Sequence, residues 1–220
     1  MQRIKSLSEY FKKYESSVKD PEKFWSQIAD SFIWKKKWDN VLESNFENAD
    51  FKWFKNAQLN ITENIFERNL SERGDKTAII WEPNDPKESP IYLSYRELYE
   101  QTCTFSNALR SKGIKKGDRV IIYMPMVPEA AIAMLACARV GAVHSVVFAG
   151  FSAASLADRI NDCEAKIVLT SDGNFRGNKT IPVKDVVDEA LEKCSSIESV
   201  IVLERTKQNI NMVDGRDFWW

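Results

Sequence analysis

Signatures of metal binding and of disulfide frameworks are missing from this sequence of 220 residues. It has one histidine and four cysteines that stand far apart with no CxxC pair, namely His144, Cys103, Cys137, Cys163 and Cys194. Zinc sites need clustered Cys or His ligands, so we expect no metal site in this chain. Widely spaced cysteines are typical of reduced core thiols, and we therefore expect a cytoplasmic protein.

An excess of charge of either sign is also missing. Lys and Arg total 31, Asp and Glu total 32, and the formal net charge is −1. A near-neutral chain without a basic block is not expected to bind nucleic acid or an anionic membrane. Residues 1–10 are polar and charged, unlike a signal peptide, and no apolar run is long and clean enough to span a bilayer.

The common catalytic motifs are absent as well: the sequence contains no GxGxxG, GxxxxGK[ST], HExxH or GxSxG. His144 stands inside an apolar run at the start of a predicted strand. It is either a general base or a structural residue, and we favour the structural role because no partner acid or nucleophile is identifiable. We therefore assign no catalytic residue.

The clearest pattern that is present runs from Arg119 to Ser152. The apolar run 120–124 predicts a buried strand that ends at Pro125, since proline cannot donate to a sheet ladder. Pro128 suits the first turn of a helix, and Gly141 suits the position after its last residue. A second apolar run follows, so the stretch predicts a βαβ crossover with parallel strands.

The same alternation continues to residue 203 and decides the predicted fold class. Further strands are expected at 166–170 and 199–203, and further helices at 153–162 and 182–194. We expect an α/β fold with a doubly wound, mainly parallel sheet and flanking helices. Ligands of such sheets bind at the carboxyl ends of strands, which makes the loops 125–128, 150–152 and 171–179 the candidate sites.

Residues 1–60 differ in composition, because they hold most of the tryptophans and many of the phenylalanines. Such a segment either stacks sugars or bases, or wraps the main domain as an aromatic-rich extension. We favour the wrapping extension, because the accompanying charges are mixed rather than basic.

The loop 171–179 is the best site candidate within the predicted sheet. Arg176 and Lys179 flank the flexible pair Gly177 and Asn178 after a strand, an arrangement that suits a phosphate. A solvated loop with two ordinary cations explains the pattern equally well, so the alternative stays open.

The last four residues, Asp217 to Trp220, end in two tryptophans, although chain termini are usually polar and exposed. We expect a truncated piece of a longer protein. An uncovered sheet edge and exposed tryptophans invite pairing, so we also expect self-association.

Several segments resemble the AMP-forming acetyl-coenzyme A synthetases of the adenylate-forming superfamily. The longest is YMPMVPEAAIAMLACARVGAVHSVVFAGFS, from Tyr123 to Ser152. Shorter similar segments are FW (24–25), LNITEN (59–64), TAIIWE (77–82), SYREL (94–98) and GRDFWW (215–220). The resemblance implies an N-terminal extension over residues 1–62, followed over 63–220 by the first part of the AMP-binding domain.

The resemblance also implies an activity. Such enzymes convert acetate and Mg-ATP to acetyl-AMP, and then transfer the acetyl group to coenzyme A. An Arg-x-x-Arg loop of the family, which holds the 3′-phosphate end of coenzyme A, corresponds to Arg176-Gly177-Asn178-Lys179, with lysine replacing the second arginine. Phe148-Ala149-Gly150 corresponds to a Phe-Gly-Gly segment along the pantetheine tunnel.

The family's phosphate loop, nucleotide motifs, Mg²⁺ site and catalytic lysine all lie downstream of Trp220. We therefore expect the chain alone to be inactive. Two alternatives remain: a synthetase for propionate or another short-chain acid, and a non-catalytic α/β binding module.

Overall fold

A computed structural model describes residues 4–220 of the chain. The chain separates into two units, one that ends at Arg68 and one that begins at Asn69. The first comprises helices α1 (Leu7–Lys19) and α2 (Pro21–Ala29), an antiparallel pair of strands β1 (Leu42–Asn45) and β2 (Asp50–Trp53), and the short helix α3 (Ile61–Ile65).

The aromatic residues of the first unit pack on one another. The rings of Trp34, Trp38 and Phe54 lie 5.1–5.6 Å apart between centroids. Asp20 caps α2 by accepting a hydrogen bond from the backbone N–H of Lys23 at 3.1 Å. Mutual packing of these rings gives the unit an apolar cluster of its own, which accounts for part of its tryptophan content.

The second unit begins with a short helix, a pair of antiparallel strands and a long helix. These are α4 (Leu70–Arg73), β3 (Thr77–Trp81), β4 (Ile91–Ser94) and α5 (Tyr95–Ser111). Ser94 and Glu97 form a reciprocal capping box at the start of α5, in which each side chain accepts from the other residue's backbone N–H.

The sheet that follows has five parallel strands. Its five strands are β5 (Arg119–Ile122), β6 (Val143–Val146), β7 (Ile167–Ser171), β10 (Ser199–Leu203) and β11 (Asp217–Trp219). The helices between them are α6 (Pro128–Val140), α7 (Ala153–Cys163) and α8 (Val183–Leu191). The strand order is β11-β10-β7-β5-β6. The predicted α/β class with a mainly parallel sheet is confirmed.

Successive side chains of the central strands point to opposite faces, and each face is covered by helices. Ile121, Val168 and Val200 pack with residues of α7 and α8 in one buried cluster. On the other face, Ile201 of β10 lies near Phe105 of α5 and Ile132 of α6. The sheet is therefore wound on both sides, as predicted.

The segment 171–179 is not the irregular loop that its polar composition predicts. It contains β8 (Asn174–Arg176), which pairs antiparallel with β9 (Lys179–Ile181). Gly177 has a φ of +57° at the first of the two turn positions, the conformation that a type II′ turn requires there. The hairpin makes Arg176 and Lys179 directly opposed partners on neighbouring strands.

A buried ion-pair network fastens β11 to α8. The Lys184 side chain is fully buried and its ammonium lies 2.8 Å from carboxylate oxygens of both Asp188 and Asp217. Arg216 donates to Asp217 and Asp188, at 2.6 Å in each case. Burial opposes ionisation of Asp217, but hydrogen bonds from Arg216, Lys184 and the Val213 N–H outweigh it and hold its pKa below the ordinary value.

Candidate functional site

The order of the strands marks one place in the sheet for a ligand. From β5 the chain crosses to β6 on one side, and it then returns past β5 to β7 on the other side. In doubly wound sheets, ligands bind outside the carboxyl ends of the strands at this point of reversal. The segments that follow β5, β6 and β7 are therefore the candidate walls of a site.

A cavity of about 550 Å³ lies at this point. Its walls come from separate segments of the chain: Trp81–Asn84 at the end of β3 and just beyond it, Met124–Val127 after β5, Phe148–Gly150 after β6, residues 174–176 and 181 of the hairpin, and Arg205 after β10. A cavity of this size and position suits a small ligand or a part of a cofactor.

A second cavity, of about 560 Å³, lies near the C-terminal ends of α5 and α6. Its lining includes Arg110, Lys115, Lys116 and Arg139. Because Lys116 closely precedes the start of β5, this cavity belongs to the amino ends of the strands, opposite to the edge where such sheets bind ligands. We therefore take the cavity above the carboxyl ends as the candidate site.

The four predicted site residues form the tip of the β8–β9 hairpin. Of these, Arg176 is part of the cavity wall, whereas the described lining does not include Gly177, Asn178 or Lys179. The Gly177 carbonyl accepts a hydrogen bond from the Asn84 side chain at 3.3 Å, which links the hairpin turn to the segment after β3. Arg176 and Lys179 are both exposed and directly opposed across the hairpin.

Arg205 is a site residue that sequence reasoning missed. Its guanidinium lies 5.0 Å from the centroid of the Trp81 ring and 5.0 Å from that of the Phe175 ring. The indole N–H of Trp81 in turn donates to the Met126 carbonyl at 2.8 Å. Its position is the signal that the sequence offers, because Arg205 follows β10 at the same carboxyl edge of the sheet as the loops after β5, β6 and β7.

Asp172 organises the loop that carries Arg205. Its fully buried carboxylate accepts hydrogen bonds from the backbone N–H groups of Gly173, Arg205, Thr206 and Lys207, at 2.6–3.0 Å. Lys207 adopts a left-handed conformation with φ of +57°, which is unfavourable for a side chain with a Cβ. The carboxylate stabilises this turn and thereby fixes the backbone position of Arg205.

The segment after β6 contributes an apolar wall. Phe148 is exposed, Ala149 is buried, and a Cβ added at Gly150 would lie 2.5 Å from the Phe148 ring. The methyl group that Ala149 carries in place of the glycine of the resembled segment is therefore buried within the protein. His144 lies earlier, in β6 opposite Val120, and burial lowers its pKa.

Comparison with known proteins assigns the chain to a family. A family model described as AMP-binding enzyme matches residues 66–217. The chain belongs to the AMP-binding enzyme family. A second model, described as acetyl-coenzyme A synthetase N-terminus, matches residues 10–65.

Two curated relatives of the chain are named acetyl-coenzyme A synthetase. The chain is 53% identical to an acetyl-coenzyme A synthetase of Syntrophobacter fumaroxidans over 96% of its own length and 32% of the relative's. It is 49% identical to an acetyl-coenzyme A synthetase of Novosphingobium aromaticivorans, over 94% of its length and 32% of that protein. The resemblance to acetyl-coenzyme A synthetases is confirmed, and the chain spans about a third of the length of these relatives.

A solved structure shares the fold of this chain. Acetoacetyl-CoA synthetase from Streptomyces lividans aligns with a TM-score of 0.83 and 28% identity, over 92% of this chain and 31% of that protein.

Among residues 4–220, no group of three or more His, Cys, Asp or Glu side chains could hold a metal ion. No helix in the same range combines the length and apolar character needed to cross a membrane.

Proposed function

We propose that the protein carrying this chain is an AMP-forming acetate–CoA ligase. It activates acetate with ATP to acetyl-AMP and pyrophosphate, and it then transfers the acetyl group to the thiol of coenzyme A. The observation that carries the proposal is the joint match to the AMP-binding model and to the acetyl-coenzyme A synthetase N-terminus, supported by relatives of that name.

The part of the reaction that we assign to this chain is binding of coenzyme A. Arg176, Gly177, Asn178 and Lys179 hold the end that carries the 3′-phosphate. Directly opposed like charges destabilise a hairpin, and a phosphate between Arg176 and Lys179 converts their repulsion into two attractive contacts. Arg176 supplies a planar fork of donors, while Lys179 contributes a flexible point charge.

The chemical steps of the reaction are not assigned to residues of this chain. Mg²⁺ would accompany ATP in the proposed activity, but the described residues include no cluster of carboxylates fit to hold it. We derive no step through the metal and name no catalytic residue. Our prediction remains that the chain alone does not catalyse acetate-dependent exchange of pyrophosphate into ATP.

A ligase for propionate or another short acid is the second candidate. The similarity to a solved structure named as an acetoacetyl-CoA synthetase supports it. A non-catalytic binding module is the third possibility, and an absence of any ligase activity would favour it.

The decisive experiment uses the protein as its gene encodes it. We expect acetate-dependent exchange of labelled pyrophosphate into ATP, and formation of acetyl-CoA when coenzyme A is added. Parallel reactions with propionate and acetoacetate identify the preferred acid. No exchange with any of these acids would refute the ligase.

The assignment of the hairpin has its own test in the same protein. Arg176→Ala should raise the KM for coenzyme A about ten-fold or more, because a charge-assisted hydrogen bond contributes about 1.5–3 kcal/mol. Lys179→Ala should raise it less. The exchange reaction, which does not involve coenzyme A, should be unchanged in both. If Arg176→Ala slows exchange as much as turnover, the assignment is wrong.

We also propose self-association of the chain and a cytoplasmic location. Trp219 is about half exposed on the edge strand β11, which supports self-association of the chain through this edge. The four cysteines are free thiols, which is consistent with the proposed cytoplasmic location.

A further inference from the structure

The side chain of Arg205 is held in a fixed orientation at the wall of the cavity. The rings of Trp81 and Phe175 each lie 5.0 Å from its guanidinium carbon. Its backbone N–H donates to the buried Asp172 carboxylate at 2.8 Å. A contact with the face of an aromatic ring takes up no carboxylate or phosphate partner of a guanidinium, so its N–H donors stay available for such a partner.

Those donors have no acidic partner among residues 4–220. The structure gives the Arg205 side chain two ring contacts and no ion pair there, although the residue is half-buried. Glu82 is the one acidic residue of the described cavity lining, and its side chain is exposed. Arg176 lines the same cavity, so two arginines border one space, and a bound anion there would attract both of them.

We propose that Arg205 is a ligand-binding residue, which together with Arg176 holds a phosphate group of an adenine nucleotide. The identification of that nucleotide as coenzyme A rests on the proposed function. Coenzyme A offers two sources of phosphate, its 3′-phosphate and its pyrophosphate. Arg205 thus adds a second guanidinium to the cavity that Arg176 lines, whereas Lys179, which replaces the second arginine of the resembled motif, is not part of the described lining.

The alternative is a purely structural role, because the Trp81–Arg205–Phe175 stack also joins the segment after β3 to the hairpin. The two roles differ in their dependence on salt. A charge that contacts a phosphate makes ligand affinity fall as ionic strength rises. A cation that only packs on rings within the protein adds nothing to this dependence of affinity on ionic strength.

The test measures the dissociation constant of coenzyme A by titration calorimetry, in the protein as its gene encodes it. Arg205→Met should weaken binding by roughly ten-fold or more and reduce the salt dependence. Arg205→Lys should recover part of the affinity, since it keeps the charge but loses the planar fork. The matched control is Arg159→Met, because Arg159 also packs over a phenylalanine ring, that of Phe151 at 5.3 Å, but is not part of the cavity lining.

Dephospho-coenzyme A and adenosine 3′,5′-bisphosphate identify the phosphate. If Arg205 contacts the 3′-phosphate, Arg205→Met should weaken coenzyme A and the bisphosphate but not dephospho-coenzyme A. If it contacts the pyrophosphate, coenzyme A and dephospho-coenzyme A should weaken together. Equal salt slopes in the parent and in Arg205→Met would overturn the proposal, as would unchanged affinity in that variant or an absence of binding by the parent.

The test of Arg205 and the test of the ligase activity can fail independently of each other. A protein that binds these nucleotides but makes no acetyl-CoA would refute the ligase, while the comparison of Arg205 variants would still decide the role of this residue.

Discussion

Removing one carboxylate oxygen of Asp172 should loosen the loop that carries Arg205. In Asp172→Asn the amide keeps a single oxygen acceptor, and its best orientation preserves the bonds to Gly173, Arg205 and Thr206. The bond from the Lys207 N–H, which goes to the other oxygen at 2.6 Å, is lost. An amide NH₂ group then faces that N–H, so one part-buried donor is left without an acceptor.

The expected change in hydrogen exchange follows from the loss of this one hydrogen bond. A buried donor without a partner costs about 1–3 kcal/mol. The hydrogen exchange of the Lys207 amide should therefore accelerate roughly 5- to 150-fold, at about 1.4 kcal/mol per factor of ten. Asp172→Ala removes every acceptor and should accelerate exchange at Arg205 and Thr206 as well.

Hydrogen exchange followed by NMR or mass spectrometry measures the effect at the residues concerned. The control is Asp214→Asn, which removes the same charge from an exposed position. If Asp172→Asn leaves the exchange of Lys207 unchanged, or if the control changes it equally, the bonding that we ascribe to Asp172 is refuted.

Three other perturbations test the second unit. Lys184→Met should lower the free energy of unfolding by about 1.5–3 kcal/mol, measured by urea denaturation, because it removes one of the two cations that pair with the buried Asp217 carboxylate and leaves Arg216 as the other. The pKa of Asp217 is lowered in the folded state, so its ionised form stabilises the fold at pH values above the ordinary carboxyl pKa. This stabilisation should disappear as the pH falls through the folded-state pKa. If the free energy of unfolding falls with pH equally in the parent and in Asp217→Asn, the prediction is wrong. Burial raises the pKa of Cys137 to about 12, so maleimide should label it far more slowly at pH 8 than the half-buried Cys103, and equal labelling rates in the folded protein would contradict this.

The parallel sheet was predictable because its signals are local. An apolar run predicts β5, Pro128 begins α6, and Gly141 ends that helix with a φ of +85°. Each signal lies within a few residues of the feature that it determines. The same reasoning succeeded for the capping box of Ser94 and Glu97.

Features that depend on distant residues escaped this reasoning. Strands β8 and β9 have three residues each and are too short to display an apolar alternation. The bonds of Asp172 reach backbone groups 33–35 residues away, and the stack on Arg205 joins Trp81 to Phe175. The position of its loop after a strand made Arg176 a candidate, and its role in binding stays a prediction, whereas the presence of Arg205 in the same cavity lining depends on the tertiary structure.

The cavity wall is assembled from segments that stretch from Trp81 to Arg205, so no local piece of the chain contains the site. Ligand affinity is consequently linked to the folding of the whole second unit, since its unfolded chain retains no binding surface. A ligand at one hundred times its dissociation constant would raise the free energy of unfolding by about 2.7 kcal/mol. Thermal-shift screening of nucleotides therefore offers a way to discover the natural ligand without any assay of catalysis.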